Sequence, residues 1–179
     1  MLEGKNVNLR VIEKDDLPLF AEWFDSIEWF SEQGSPSQAS RTWLEEWLYS
    51  DVFETRCFFI EKKDGSRVGY IWHFVVVAPY TKMLEIGYGV LPSERRKGYC
   101  TEAVQLMVDY LFLTKNVARI HATAHIRNVI SQRVLEKVGF KKEGTLRKPV
   151  FVRGEWTDMF LFSILREEWK EPRILTKTT

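Results

Sequence analysis

The alternation of apolar and polar residues along the chain predicts a series of short strands and helices. Val7, Leu9 and Val11 alternate with polar neighbours, which is typical of a strand with one buried face. Beyond Pro92 apolar residues recur at three- and four-residue steps, which is typical of a helix. The predicted strands are 7–11, 57–62, 67–78, 83–90, 119–125, 140–144 and 157–165, and a loop is predicted at 31–40. The predicted helices are 17–25, a second from Ser37 or Ser40 to 48, a long third that lies beyond Pro92 and ends near 114, and a fourth at 129–138.

The ends of these segments carry residues that favour caps and turns. Asp15 and Asp16 lie where the first helix needs a cap, and Trp23 lies off the apolar stripe of that helix. Gly139 follows the last helix at the position that favours a left-handed residue. No repeat or linker interrupts the pattern. The sequence therefore predicts one mixed α/β domain over residues 1–179, with an ordered core over about 5–169.

The composition is that of an ordinary globular domain. A chain of 179 residues buries roughly 70% of the surface that its unfolded form exposes, so the core needs no disulfide or metal to hold it. Cys57 and Cys100 lack the spacing of a disulfide framework or a metal site, which favours a reducing compartment. The 26 basic and 25 acidic residues leave a net charge of +1, which gives no field to attract nucleic acid or an anionic membrane.

The apolar runs indicate neither export nor insertion into a membrane. Residues 1–10 carry Glu3, Lys5 and Arg10 where a signal peptide has an apolar run. The longest apolar stretch, 71–78, is interrupted by His73 and is too short to span a bilayer. We therefore expect a cytoplasmic protein.

A basic glycine turn joins the strand at 83–90 to the long helix and is the strongest chemical signal in the chain. It consists of Arg95, Arg96, Lys97 and Gly98. The start of a helix presents unpaired N–H groups and a partial positive charge, which together bind phosphate. Gly98 permits close approach because it has no Cβ. On these residues alone, a strain-relieving turn with a solvated basic face is an equally good interpretation.

Three motifs, in the right order, resemble one enzyme family. Arg95-Arg-Lys-Gly-Tyr-Cys100 resembles the R/Q-x-x-G-x-G/A signature of the GNAT superfamily of N-acetyltransferases, and Gly98-Tyr-Cys-Thr-Glu-Ala103 resembles its RimJ/RimL-like branch. The segment from Arg127 to Phe140 is similar to that branch's N-x-x-S-x-x-v-x-e-K-x-G-F helix. Glu143-Gly144 and Gly154-Glu-Trp-Thr-Asp158 resemble its C-terminal hairpin. Cys100 departs from the pattern, which has Gly or Ala there.

The resemblance implies a fold, a co-substrate and a reaction. The fold would be a mixed α/β, GNAT-like one, with a central, mostly antiparallel twisted sheet, two splayed parallel strands and about four flanking helices. The reaction would be acetyl transfer from acetyl-CoA to a primary amine, without a metal. The residues expected to bind the cofactor are Val90, Leu91, Arg95, Arg96, Lys97, Gly98, Tyr99, Cys100, Thr101, Asn128 and Ser131.

The same resemblance suggests catalytic roles. An alkylammonium with a pKa of about 10.4 has no lone pair to attack a thioester, so a base must take a proton. Glu85 lies where the family often has such a carboxylate, acting directly or through water. Leu135 occupies the position of the tyrosine that protonates the CoA thiolate in many relatives, so Ser131 becomes the candidate. Asn128 would bond pantetheine amides or serve only as a helix cap.

Two strand glycines and a backbone amide complete the expected cofactor site. Gly87 and Gly89 suit a bulge that opens the strand towards pantetheine, with the N–H near Val90 facing the carbonyl oxygen. The alternative is a strand packed against a bulky neighbour. His121 and His125 are expected to fill strand positions, and His73 to lie either in the core or beside the substrate cleft.

The acceptor side is expected to come from an N-terminal part rich in tryptophan and acid. Trp29, Glu32, Trp72 and Glu85 are the predicted substrate-binding residues. An aromatic wall with carboxylates attracts a cation, which suits a polyamine, an aminoglycoside-like amine or a protein N-terminus. The alternative function is a catalytically silent sensor that binds acetyl-CoA. Exposed strand edges leave both a monomer and a homodimer open.

Overall fold

The computed structural model describes residues 1–26, 40–48, 56–78 and 81–172. The helices of this part are α1 (Leu17–Asp25), α2 (Arg41–Leu48), α3 (Tyr99–Thr114) and α4 (Val129–Val138). The strands are β1 (Leu2–Glu3), β2 (Val7–Val11), β3 (Arg56–Lys62), β4 (Arg67–Ala78), β5 (Thr81–Val90), β6 (Arg119–His125), β7 (Lys141–Val152) and β8 (Glu155–Leu165). None of the described helices is both long and apolar enough to cross a membrane.

The strands form one sheet in the order β1-β2-β3-β4-β5-β6-β8-β7. Neighbouring strands run antiparallel except β5 and β6, which are parallel. The pairing of β5 with β6 consists of Leu84 opposite Ile120 and Glu85 opposite His121, after which the two strands part. The predicted α/β fold, with a mostly antiparallel sheet and two splayed parallel strands, is confirmed.

Apolar side chains cover both faces of the sheet. On one face, Leu84, Ile86 and Ile120 pack in a core cluster with α3 and the inner side of α4. On the other, Phe59 packs with residues of α1 and α2. Burying one such side chain contributes about 1.5–3 kcal/mol. Because both faces are covered, the strands contain long apolar runs as well as alternating ones.

Trp23 corrects one detail of the sequence analysis. Its side chain is only 6% exposed, and the centroid of its ring lies 5.4 Å from that of Phe59 in an edge-to-face arrangement. The prediction that it lies off the buried stripe is therefore wrong. The reason is that α1 packs against both the sheet and α2, so its buried surface is wider than a single stripe.

The helix ends follow the predicted caps at two positions and depart from them at a third. Ser40 caps α2, because its Oγ accepts the N–H of Trp43 at 3.1 Å, and Gly139 ends α4 with φ of 113°. Asp16 stands at the start of α1 but makes no capping bond with its side chain. Its carboxylate instead binds Arg10 at 2.8 Å and Arg67 at 2.9 Å, which ties β2 and β4 to the start of the helix.

The C-terminal hairpin is longer than predicted. β7 continues to Val152, whereas the sequence predicts its end at 144. The segment containing Pro149 resembles a loop in sequence, but an irregularity between Leu146 and Val150 accommodates it within the β7–β8 pairing. Arg153 and Gly154 form the tip with φ of 51° and 85°. The predicted loop at 31–40 lies outside the described residues except for its last position.

His73 lies in the core beneath α3 and does not border a cleft. It is 1% exposed and packs between the rings of Phe58 and Tyr110. Neither ring nitrogen has a hydrogen-bond partner among the described residues. Burial, aided by the charges of Lys115 and Arg56, lowers the pKa of His73 from 6.5 to about 4. The folded protein therefore holds this side chain neutral.

This burial makes the stability of the fold sensitive to acid. Because the pKa of His73 is lower in the folded than in the unfolded chain, the unfolded chain binds the extra proton between pH 6.5 and pH 4. The free energy of unfolding should therefore fall as pH falls through this window, by up to ~3 kcal/mol from this residue. Urea denaturation at pH 7, 5 and 4 should show a smaller fall in the free energy of unfolding for His73→Phe than for the wild type. The variant keeps an aromatic ring in the core but cannot take a proton there. Equal falls in both proteins would contradict the prediction.

Candidate active site

The parting of β5 and β6 creates a fork between two interior strands of the sheet. Beyond Glu85 and His121, residues 86–90 of β5 and 122–125 of β6 are no longer paired with one another. α3 follows the end of β5, and α4 follows the end of β6. Both helices thus begin beside the fork, with the positive ends of their dipoles near it. This is the position at which open α/β sheets commonly bind ligands.

The glycine turn has the geometry of an anion-binding loop. Arg96 and Gly98 have left-handed backbone, with φ of 65° and 86°. The first N–H of α3 to be bonded within the helix is that of Glu102, which donates to the carbonyl of Gly98. The N–H groups of the preceding turn, at Tyr99, Cys100 and Thr101, have no acceptor within the helix. A Cβ at Gly98 would meet no atom within 4 Å, so the loop is open to a phosphate.

The basic side chains of the turn differ in their contacts. Nε of Arg95 donates to the carbonyl of Val90 at 3.2 Å and so fastens the turn to the end of β5. Lys97 pairs with Glu94 at 3.0 Å. Arg96 is exposed at the mouth of the loop. Burial raises the pKa of Cys100 to about 12, so its side chain remains a thiol that packs against the main core.

Glu85 lies at the point where the fork opens. Its Oε2 is 3.1 Å from Nε2 of His121, and its Oε1 accepts a long hydrogen bond of 3.5 Å from the hydroxyl of Thr123. A fifth of its side chain, 20%, remains exposed. His121 occupies a buried position of β6, as expected, and its ring in addition contacts Glu85. The parallel register that places it beside Glu85 could not be derived from the sequence of either strand.

A second acidic group lies on the same face of the sheet. Glu143 of β7 binds Arg119 at 2.7 Å and accepts the hydroxyl of Ser163 at 2.6 Å. These two hydrogen bonds, that from Ser163 first, lower the pKa of Glu143. Ser163 lies opposite His121 in the β6–β8 pairing. A row of polar side chains thus crosses β5, β6, β8 and β7 on this face.

Two hydroxyl groups meet on the opposite face. The hydroxyl of Tyr88 lies 2.9 Å from Oγ of Ser131, across the space between β5 and α4. Burial raises the pKa of Tyr88, so the phenol keeps its proton. Asn128 caps α4, because its Oδ1 accepts the N–H of Ser131 at 3.0 Å. Sequence motifs indicated Ser131 but not Tyr88, because only the fold brings the two together. Leu135 is fully buried in the core.

The glycines of β5 do not form the expected bulge. β5 pairs with β4 over residues 81–90 without a register shift. A Cβ at Gly87 would overlap the indole of Trp72, which lies across it. The alternative interpretation, a strand packed against a bulky neighbour, is therefore the one observed at Gly87.

Aromatic rings cover the sheet beside Glu85. Trp72 and Phe74 lie opposite Gly87 and Glu85 on β4, with their ring centroids 5.2 Å apart. The ring of Trp47 of α2 lies edge to face with that of Trp72, with their centroids 6.3 Å apart. It also stacks on the ring of Trp43, with their centroids 6.1 Å apart. We call these four rings the aromatic wall. Of the predicted substrate-binding residues, Trp72 and Glu85 share this face, whereas Trp29 and Glu32 lie outside the described residues.

Comparisons with known proteins agree with this arrangement. Residues 6–141 match the family model described as an acetyltransferase (GNAT) domain. The chain is 34% identical over 179 residues to the probable N-acetyltransferase YjcK of Bacillus subtilis, covering 94% of this chain and 98% of that protein. It is 26% identical over 177 residues to the putative ribosomal N-acetyltransferase YdaF of the same organism, covering 93% and 95%.

A solved structure shares the fold across nearly the whole chain. It is spermidine N-acetyltransferase from Vibrio cholerae in complex with CoA and spermine, with a TM-score of 0.76 and 21% identity. The match covers 92% of this chain and 98% of that one. With the forked sheet, the left-handed glycine turn and the family match all in place, the chain belongs to the GNAT family of N-acetyltransferases.

Proposed function

We propose that this protein transfers an acetyl group from acetyl-CoA to the primary amine of a polyamine, by direct attack within a ternary complex. The observation that carries the proposal is the position of two proton-handling groups on opposite faces of the fork. Glu85 lies on one face with the aromatic wall, and the Tyr88–Ser131 pair lies on the other. An acetyl group held between them would have a base on one side and hydroxyl donors on the other.

The cofactor would lie along the end of β5 and the start of α3. The pyrophosphate would accept the N–H groups of Gly98, Tyr99, Cys100 and Thr101, with Arg96 as the exposed cation. The pantetheine arm would follow β5 past Val90 and Leu91 into the fork, with an N–H near Val90 for the carbonyl oxygen. Oδ1 of Asn128 already caps α4, which leaves its NH₂ group for a pantetheine amide.

The chemistry needs two proton movements. The ammonium group of the acceptor would lose a proton to Glu85, and the neutral nitrogen would attack the thioester carbon. The C–S bond then breaks, the nitrogen gives up its second proton to the CoA sulfur, and CoA leaves as the thiol on the side of Ser131 and Tyr88. Because burial raises the pKa of Tyr88, this pair supports the thiolate chiefly by donating hydrogen bonds.

The acceptor would approach along the aromatic wall. Half-exposed rings attract a cation over their faces, and each such contact is worth about 0.5–2 kcal/mol. A polyamine carries further cations beside the reacting amine. The aromatic wall extends from Phe74 through Trp72 and Trp47 to Trp43, so more than one cation could lie over a ring. The shared fold with a spermine-bound enzyme supports this choice. A protein N-terminus, in the manner of the RimJ/RimL-like branch, is the second candidate, and the similarity to YdaF favours it.

A panel of amines tests the proposal. The protein is mixed with acetyl-CoA and, separately, spermidine, spermine, an aminoglycoside or a short peptide with a free N-terminus. We expect acetylated spermidine or spermine by mass spectrometry, together with release of the CoA thiol. Acetylation of the peptide alone would favour the second candidate. Binding of acetyl-CoA without turnover of any amine would indicate the silent sensor.

Gly98→Asp tests the position of the pyrophosphate. A carboxylate at the mouth of the loop would repel the phosphates, so the Kd for CoA should rise by ~100-fold, or ~3 kcal/mol. Isothermal titration calorimetry measures this directly. Gly65→Asp is a matched control, because Gly65 also has left-handed backbone, with φ of 84°, and open space around it in a distant turn. Unchanged affinity in Gly98→Asp would place the phosphates elsewhere.

Glu85→Gln tests the base. The variant keeps the shape of the side chain but cannot take a proton, so kcat/KM at neutral pH should fall by about 10²–10⁴-fold. The loss should shrink above about pH 10.4, where the free amine no longer needs a base. Glu143→Gln serves as the control, since that carboxylate is engaged by Arg119 on the same face. A wild-type profile of rate against pH in Glu85→Gln would remove Glu85 from this role.

A further inference from the structure

His121 occupies the point at which the two parallel strands part. It lies opposite Glu85 in the last pair of the β5–β6 register, and its Nε2 is 3.1 Å from Oε2 of Glu85. The side chain of His121 is 8% exposed, whereas that of Glu85 is 20% exposed. The contact is therefore fixed by two strand backbones and by a buried ring, and it leaves part of the carboxylate open to the acceptor side.

The second ring nitrogen identifies the tautomer. Nδ1 of His121 is buried and has no hydrogen-bond partner among the described residues. A buried N–H without an acceptor is costly, whereas an N–H that faces a carboxylate is stabilised. The hydrogen of the ring is therefore assigned to Nε2, and His121 donates to Glu85.

The neighbouring charged groups on this face have other hydrogen-bond partners than His121 and Glu85. Arg119, which precedes His121 on the same strand face, binds Glu143 of β7, and Ser163 of β8 also donates to Glu143. From β4, the residue opposite Glu85 is the apolar Phe74. The donor nearest to the other carboxylate oxygen, Thr123, is 3.5 Å away. His121 is thus the close donor to Glu85.

We infer that His121 is a positioning residue, which holds Oε2 of Glu85 so that Oε1 faces the incoming amine. Fixing one oxygen limits the rotation of the carboxylate, and a base works only within hydrogen-bond reach of the proton that it removes. This inference rests on the proposed role of Glu85 as the base.

Two polar variants separate positioning from packing. In His121→Gln the side-chain NH₂ group lies where Nε2 was and can still donate to Glu85. In His121→Asn the shorter side chain places its amide where Nδ1 was, so this hydrogen bond is lost. With spermidine and acetyl-CoA, kcat/KM should fall by ~10- to 100-fold in His121→Asn and by less than ~3-fold in His121→Gln. Ser163→Ala, which changes the neighbour of His121 on β8, should remain near the wild-type rate. Melting temperatures of all variants report whether any of them fails to fold.

The split between kcat and KM gives a readout that packing alone would not move. In His121→Asn the loss should fall on kcat, with KM for spermidine within about 3-fold of wild type, because the carboxylate is still present but no longer held in place. In His121→Gln both constants should stay near their wild-type values. A wild-type kcat in His121→Asn, alongside an impaired Glu85→Gln, would overturn the positioning role and leave the proposed function standing. Wild-type kinetics in Glu85→Gln would overturn both.

The tautomer can be measured without any acceptor. Protein labelled with ¹⁵N-histidine should show His121 protonated at Nε2 and unprotonated at Nδ1, with the signals assigned by their loss in His121→Gln. The opposite tautomer would overturn the inference, whatever amine the enzyme acetylates.

Discussion

The site depends on one constraint. The parallel strands β5 and β6 pair at only two successive positions and then separate. Parallel strands normally satisfy each other's backbone groups along their length. Beyond Glu85 and His121 the facing edges lose this partner, and backbone groups away from water need another one. A ligand arm that carries amides can supply it by lying in the fork as an additional strand. Since α3 follows the end of β5 and α4 the end of β6, both helices begin beside this opening, where an anion could also be bound.

The alternation of side chains along a strand then distributes the chemistry between the two faces. Glu85 and Tyr88 are three residues apart on β5, which in an extended strand places them on opposite faces. Glu85 shares its face with the aromatic wall, and Tyr88 shares its face with α3 and α4. A reaction centre in the opening would thus receive the amine from one face and release the thiol towards the other. The arrangement needs no movement of the sheet, because both groups belong to the same short strand.

Local features were predicted well, and contacts between distant elements were not. The sequence defines β2, β6 and α4 to the residue, because clear periodicity and the cap at Gly139 mark their ends. It also indicates the glycine turn before α3, where Gly98 has left-handed backbone, since the glycine and the basic residues are contiguous. The contacts of His121 and Tyr88 were missed because their partners, Glu85 and Ser131, lie 36 and 43 positions away. The register between β5 and β6, and the placement of α4 beside β5, decide those contacts. Neither leaves a periodic signal in a single sequence.

Gly87 shows how one strand position serves the acceptor side. The prediction attached this glycine to a bulge for pantetheine, but the pairing with β4 is regular there. What requires glycine is the indole of Trp72, which occupies the space of the missing Cβ. With any larger residue the indole would have to move away from the strand, and its contact with Trp47 of α2 would change with it. Gly87 therefore fixes the position of Trp72 in the aromatic wall, on the face that also carries Glu85.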